Sequence, residues 1–157
     1  MSKKDIMNIT RLIISIVICQ LAGILGALFT RTGTGSWYAS IVKPSFNPPG
    51  WVFGPAWITL YTLMGISLYI IWNIGGNKAA IAIFAVQLFL NAIWTPLFFG
   101  LNMPWIAFAE IVVLWIAILV TIINFYPISH AAAYLLVPYV LWVTFASILN
   151  ATIAILN

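Results

Sequence analysis

Four amides placed inside apolar stretches, with indoles spaced beside them, are the groups in this sequence best suited to hold a small molecule. Between residues 79 and 101, Gln87, Asn91, Trp94 and Phe98 recur at i, i+4, i+7 and i+11, so they share one stripe of a helix. Trp142, Ala146 and Asn150 repeat every four residues, Gln20, Gly23 and Ala27 follow at three and seven, and Trp57 precedes Tyr61 by four. An amide in hydrocarbon finds no water, so each stripe must face protein. Singly, each amide reads as glue between helices, with Gly23, Gly26 and Ala27 as close-packing positions. Together with indoles and small residues on the same faces, the amides describe a cavity walled by aromatics and furnished with a few hydrogen-bonding groups, as small-molecule sites are.

Other reactive groups are sparse. Of the eight tryptophans, Trp72 and Trp105 fall at the ends of apolar runs, where an interfacial belt accounts for them. Trp115 and Trp142 sit ten or eleven residues into theirs, about 15 Å deep, and a belt does not. Glu110 is a carboxylate inside a span and is expected to dock the long loop by pairing with Arg31 or Lys43. Cys19 is a lone thiol in an apolar run and reads as buried and inert. His130 stands alone in a turn, so no metal-ligand spacing is present.

The elements that carry these stripes follow from composition. The chain is 64% apolar and 5% charged, and so few charges cannot cover a water-facing surface. Lys3, Lys4, Arg11, Arg31, Lys43 and Lys78 are spread singly, which gives nucleic acid no patch to bind. Five apolar runs, about 12–29, 51–74, 79–101, 105–126 and 131–156, are each long enough for a bilayer core of roughly 30 Å. The expected fold is an all-α membrane protein, one domain over residues 1–157, built as a five-transmembrane-helix bundle with a long loop between helices 1 and 2. The first run lacks a small-x-small cleavage site and reads as an uncleaved span. Later breaks, Gly75-Gly76-Asn77, Asn102-Met103-Pro104 and Pro127 to His130, are short and predict antiparallel neighbours. Lys3, Lys4, Arg11 and Lys78 on one side against Arg31 and Lys43 on the other favour a cytoplasmic N-terminus.

Pro96 and Pro138 should kink the third and fifth spans. Ala22-x-x-x-Gly26 and Gly23-x-x-x-Ala27 offer surfaces through which two copies could associate in lipid, so a homodimer is expected.

After the first span the chain reads Trp37-Tyr38, then Lys43-Pro44-Ser45-Phe46-Asn47-Pro48-Pro49-Gly50-Trp51, then Trp57 and Tyr61. Asn91, Trp94-Thr95-Pro96, Phe98-Phe99-Gly100, Pro138-Tyr139, Trp142 and Asn150 follow in order. This resembles the TspO/MBR family, which includes the tryptophan-rich sensory proteins and the mitochondrial translocator protein. The resemblance covers nearly the whole chain, and the Lys-Pro-x-x-x-Pro-Pro run between the first two spans is its specific part.

The resemblance implies a five-helix bundle whose first loop lids a pocket, in a bacterial cell membrane. It implies ligand contact by Trp37, Phe46, Phe53, Trp57 and Tyr61, deeper walls formed by Gln87, Asn91, Trp94, Trp142 and Ala146, and Ala27 beside them. The implied ligands are protoporphyrin and haem-related tetrapyrroles, with no required cofactor. Some bacterial members are reported to break down porphyrin in light, a role that would fall here to Trp57 and Trp142. Transport of tetrapyrroles or lipids is a further implied reading. Phe46 stands where many relatives have Trp, which keeps the aromatic surface and loses the indole donor. After Asn150 the chain lacks the Tyr and Arg of the animal proteins' cholesterol motif, so cholesterol is not expected as a ligand.

Overall fold

The computed structural model describes residues 8–157. Its elements are α1 (Ile9–Ala27), α2 (Trp37–Ser40), α3 (Gly50–Asn73), α4 (Lys78–Thr95) running on into a π-helical turn (Pro96–Gly100), α5 (Pro104–Phe125), α6 (His130–Leu135) and α7 (Val137–Leu156). No strand occurs among the described residues. Five helical segments are long and apolar enough to cross a membrane, with α4 and the π turn forming the third and α6 with α7 forming the fifth.

The helix ends follow local chemistry. α1 starts three residues before the apolar run because the Asn8 side chain accepts a hydrogen bond from the Arg11 amide at 3.1 Å. At the end of α3, Gly75 takes φ 78°, and Gly76 donates back to the Ile71 carbonyl at 2.9 Å. Pro55 lies inside α3, and the preceding Gly54 has no Cβ to clash with the proline ring. Pro96 does not end the third span. The helix widens by one residue per turn, and Leu101 donates to the Pro96 carbonyl at 2.9 Å. The fifth span breaks at Leu136, two residues before Pro138, and resumes as α7.

Around the bundle the spans lie in the order α1, α3, α6–α7, α5, α4, and α4 closes the ring against α1. The short α3–α4 connection therefore does not make those two helices close neighbours, contrary to expectation, because α1 is wedged between them. Gly65 of α3 meets the α1 backbone so closely that a Cβ there would stand 2.6 Å from Ile16 Cα. A Cβ on Gly23 would run into the Tyr61 ring, and one on Gly26 would reach Thr95 Oγ1 at 3.1 Å. The small residues of α1 thus serve packing within one chain. Ala22 and Gly26 are buried, Gly23 is half-buried, and Ala27 is exposed.

Polar links cross the same seams. Gln20 Nε2 donates to the Ile58 carbonyl and to Thr62 Oγ1, both at 3.0 Å, and Ser67 Oγ donates to the Ala132 carbonyl at 2.7 Å. At the end away from the long loop, the Arg11 guanidinium lies 5.4 Å from the Trp72 ring centroid, the arrangement expected of a span end at headgroup depth. Lys3 and Lys4, which entered the orientation argument, lie outside the described residues.

Gly65→Leu should be severely destabilising, since the clash falls on α1 backbone and overpacking alone costs about 1–3 kcal/mol. Thermal unfolding in detergent should show a lowered midpoint, whereas Gly33→Ala, with nothing within 4 Å of the added carbon, should leave it unchanged.

Candidate functional site: an aromatic cavity beneath the first loop

The amide at the centre of the bundle is Asn91 on α4, and it is buried. Its Oδ1 accepts from the Tyr61 hydroxyl of α3, and its Nδ2 donates to the Tyr139 hydroxyl of α7 at 2.9 Å. Three spans are thereby fixed at one depth. One turn nearer the loop, each carries an indole: Trp57 on α3, Trp94 on α4 and Trp142 on α7. Trp57 stacks on Tyr61 at 5.4 Å and meets Trp142 edge-on at 6.4 Å and 87°. Phe53 closes on Trp142 at 6.1 Å, and Trp94 stacks on Phe98 at 5.0 Å. The Trp94 indole donates to Asn150 Oδ1 at 3.0 Å, and Asn150 Nδ2 donates to the Pro104 carbonyl at 2.8 Å. Trp94 is therefore held in place from α7, and α7 from α5.

These side chains border a cavity of about 660 Å³. That volume lies within the range of cofactor and drug-sized sites, and its walls are mainly aromatic and aliphatic. The first loop covers one end with Tyr38, Lys43 and Asn47. Tyr38 donates to Asn47 Oδ1 at 3.1 Å, and Lys43 Nζ lies 4.7 Å from the Tyr38 ring centroid. Burial pushes the Tyr38 phenol above its ordinary value, and the bond to Asn47 pulls the other way. Asn157 pins the loop from α7: its Oδ1 accepts from the Val42 amide and its Nδ2 donates to the Val42 carbonyl, each at 2.9 Å.

Of the residues singled out in the sequence, Ala27, Phe53, Trp57, Tyr61, Asn91, Trp94, Trp142 and Ala146 border this one cavity. Three do not. Gln87 is fully buried between helices, and neither amide atom has a partner. It shares the Asn91 stripe but lies a turn beyond the cavity floor, because the Tyr61–Asn91–Tyr139 cluster closes the stripe above it. Trp37 packs edge-on against Phe98 at 5.6 Å and borders an open hollow on the outer side of the loop. Phe46 is half-exposed and meets Phe145 at 6.4 Å. Both anchor the loop to the bundle through these ring contacts.

The expected pairing of Glu110 with Arg31 or Lys43 is absent. Both Glu110 carboxyl oxygens are buried without a hydrogen-bond partner, while Lys43 Nζ donates to the Ile41 carbonyl at 3.3 Å. The reason is geometric: Lys43 turns inward over Tyr38, and Glu110 lies in α5 facing the bundle. Trp115, the other deep indole, does not reach the cavity and donates to Thr144 Oγ1 at 2.8 Å, bridging α5 and α7. Sequence reasoning missed Tyr38, Lys43 and Asn47 as cavity groups, and Tyr139 as the partner that fixes Asn91. The signal for Tyr139 was its place one turn before Trp142.

A ring of five membrane helices with a loop-covered aromatic cavity defines a multi-pass integral membrane protein. Residues 15–156 match the TspO/MBR family. The chain is 45% identical over 153 residues to the tryptophan-rich protein TspO of Archaeoglobus fulgidus, covering 96% of this chain and 99% of the relative. It is 39% identical to protein CrtK of Rhodobacter capsulatus, covering 96% and 95%, and 41% identical to the translocator protein of Bos taurus, covering 83% and 80%. This chain belongs to the TspO/MBR family.

Asn91→Leu should strand the Tyr61 and Tyr139 hydroxyls, at about 1–3 kcal/mol for each unpaired group, and lower the thermal midpoint in detergent. Gln87→Leu, at a buried amide with nothing to bond, should leave the midpoint unchanged or raise it. A large loss on Gln87→Leu would show that the amide has a partner.

Proposed function

We propose that the protein binds porphyrins and haem-related tetrapyrroles in the cavity and acts as a membrane-embedded sensor or scavenger. The reading includes placement in a bacterial cell membrane with the N-terminus on the cytoplasmic side. The observation that carries it is the pair of perpendicular indoles, Trp57 and Trp142, at the wall of a cavity of about 660 Å³. A flat π-system can stack on one ring and meet the other edge-on, and such pairs contribute about 0.5–1.5 kcal/mol beyond area burial.

A second reading is light-dependent degradation of the bound porphyrin. It is favoured by the continuity of oxidisable rings, since Trp57 touches Tyr61, Tyr139 and Trp142. In that case Trp57 and Trp142 act as redox partners of the excited ligand. The names of the relatives also bear on transport, because the cattle relative is called a translocator protein.

Titrating protoporphyrin into the purified protein in darkness should quench tryptophan fluorescence. Trp57→Phe and Trp142→Phe should each weaken binding by roughly a few-fold, in line with the stacking energy. Under illumination a binder leaves the porphyrin bands to fade at the rate of free ligand. An enzyme removes them faster, and the two variants lose that acceleration while still binding. No quenching at micromolar protoporphyrin in a folded sample would dismiss the binding reading.

A further inference from the structure

The polar groups that border the cavity away from the loop, such as Gln20, Tyr61, Asn91 and Asn150, are uncharged, and among the described residues Lys43 of the loop is the one cation that borders the space. Its ammonium carries three donors. One is used by the Ile41 carbonyl at 3.3 Å, and the Tyr38 ring 4.7 Å away supplies a π face. Glu110, the one acidic side chain among the described residues, has no hydrogen-bond partner and does not neutralise it. Lys43 is partly buried, and a partly desolvated ammonium is costly unless an anion meets it.

The backbone around this charge is fixed. The Asn157 side chain bonds both backbone groups of the preceding Val42, and the following Pro44 restricts Lys43 to extended conformations. The Tyr38–Asn47 bond ties the two limbs of the loop together on either side of it.

We propose that Lys43 is the anion-recognising group of the cavity, so that the ligand taken is a flat apolar ring bearing a carboxylate at its edge. The inference rests on the porphyrin-binding reading and specifies it: the ring lies against Trp57 and Trp142, and the carboxylate points toward the loop and meets the Lys43 ammonium. The same ammonium could be met by the phosphate of an anionic lipid, a chemistry that the experiment separates.

The test uses the full chain in a neutral detergent, with tryptophan quenching as the readout and two probes, protoporphyrin and its dimethyl ester. The ester keeps the ring and removes both negative charges. The acid is expected to bind about tenfold tighter than the ester, as a charge-assisted hydrogen bond at a partly exposed site would give. Lys43→Gln should weaken the acid alone and close the gap, and Lys43→Arg should preserve it. Equal binding of acid and ester to the parent protein would overturn the proposal while leaving porphyrin binding intact. So would an equal loss of both probes in Lys43→Gln, which would mark a role in lid structure only. Loss of the gap on adding phosphatidylglycerol, with ester binding unchanged, would assign Lys43 to lipid phosphate and also overturn it. Failure of both probes to bind the folded parent would remove the porphyrin reading itself.

Discussion

One buried amide sets the geometry on which the cavity depends. Hydrocarbon offers Asn91 no water, so its acceptor and its donor must both be matched by protein. Tyr61 and Tyr139 do this from α3 and α7, and the three helices are locked at a common depth. α3 runs opposite to α4 and α7. Trp57 lies four residues before its tyrosine, whereas Trp94 and Trp142 lie three residues after Asn91 and Tyr139. Opposite chain direction and opposite offset cancel, so all three indoles stand on the loop side of the polar cluster. Because they are placed by helical register, the aromatic wall is pre-formed, which lowers the ordering cost of binding a rigid ring.

The cluster needs room, and α1 supplies it. The Tyr61 ring occupies space that any side chain on Gly23 would fill, and Gly65 lets the α1 backbone approach α3. In lipid, helix association relies on such close approach, since burying apolar surface gains little when the tails are equally apolar. Gly23 thus seats Tyr61, and Gly26 lets α1 approach Thr95 of α4. Packing of α1 and geometry of the site are one constraint.

Much of this could be read in the sequence because membrane burial makes polar stripes informative. Asn91, Trp94, Trp57, Trp142 and Asn150 could be placed on inward faces by spacing alone, and the spans emerged within about three residues of the helix ends. Spacing gives a direction around a helix but no depth cut-off, and that is why Gln87 was grouped with Asn91 although the tyrosine hydroxyls close the cavity above it. The loop was opaque for a different reason. The course of the chain into Lys43 is held by bonds from the distant Asn157 to Val42, and Trp37 and Phe46 are placed by packing on Phe98 and Phe145. Periodicity carries no information about such contacts. Glu110 was paired on charge alone, and the direction of the loop decided otherwise.

The loop also gives the two ends of the cavity different characters. Its side chains toward the cavity include Tyr38, Lys43 and Asn47, all with polar ends, whereas the deeper walls are mainly indole, phenyl and aliphatic groups around uncharged polar ones such as Tyr61 and Asn91. An apolar body gains by moving inward, and a charged edge gains by staying near the loop. The two preferences oppose each other along the cavity axis and so fix orientation without a dense network of hydrogen bonds. Backbone flexibility in the loop would blur that selection, and three features counter it: the paired bonds from Asn157 to Val42, the Tyr38–Asn47 bond, and the prolines at 44, 48 and 49, whose rings fix φ. The bonds from Asn157 to Val42 therefore make the end of α7, far in sequence from the loop, part of what fixes the cavity's cover.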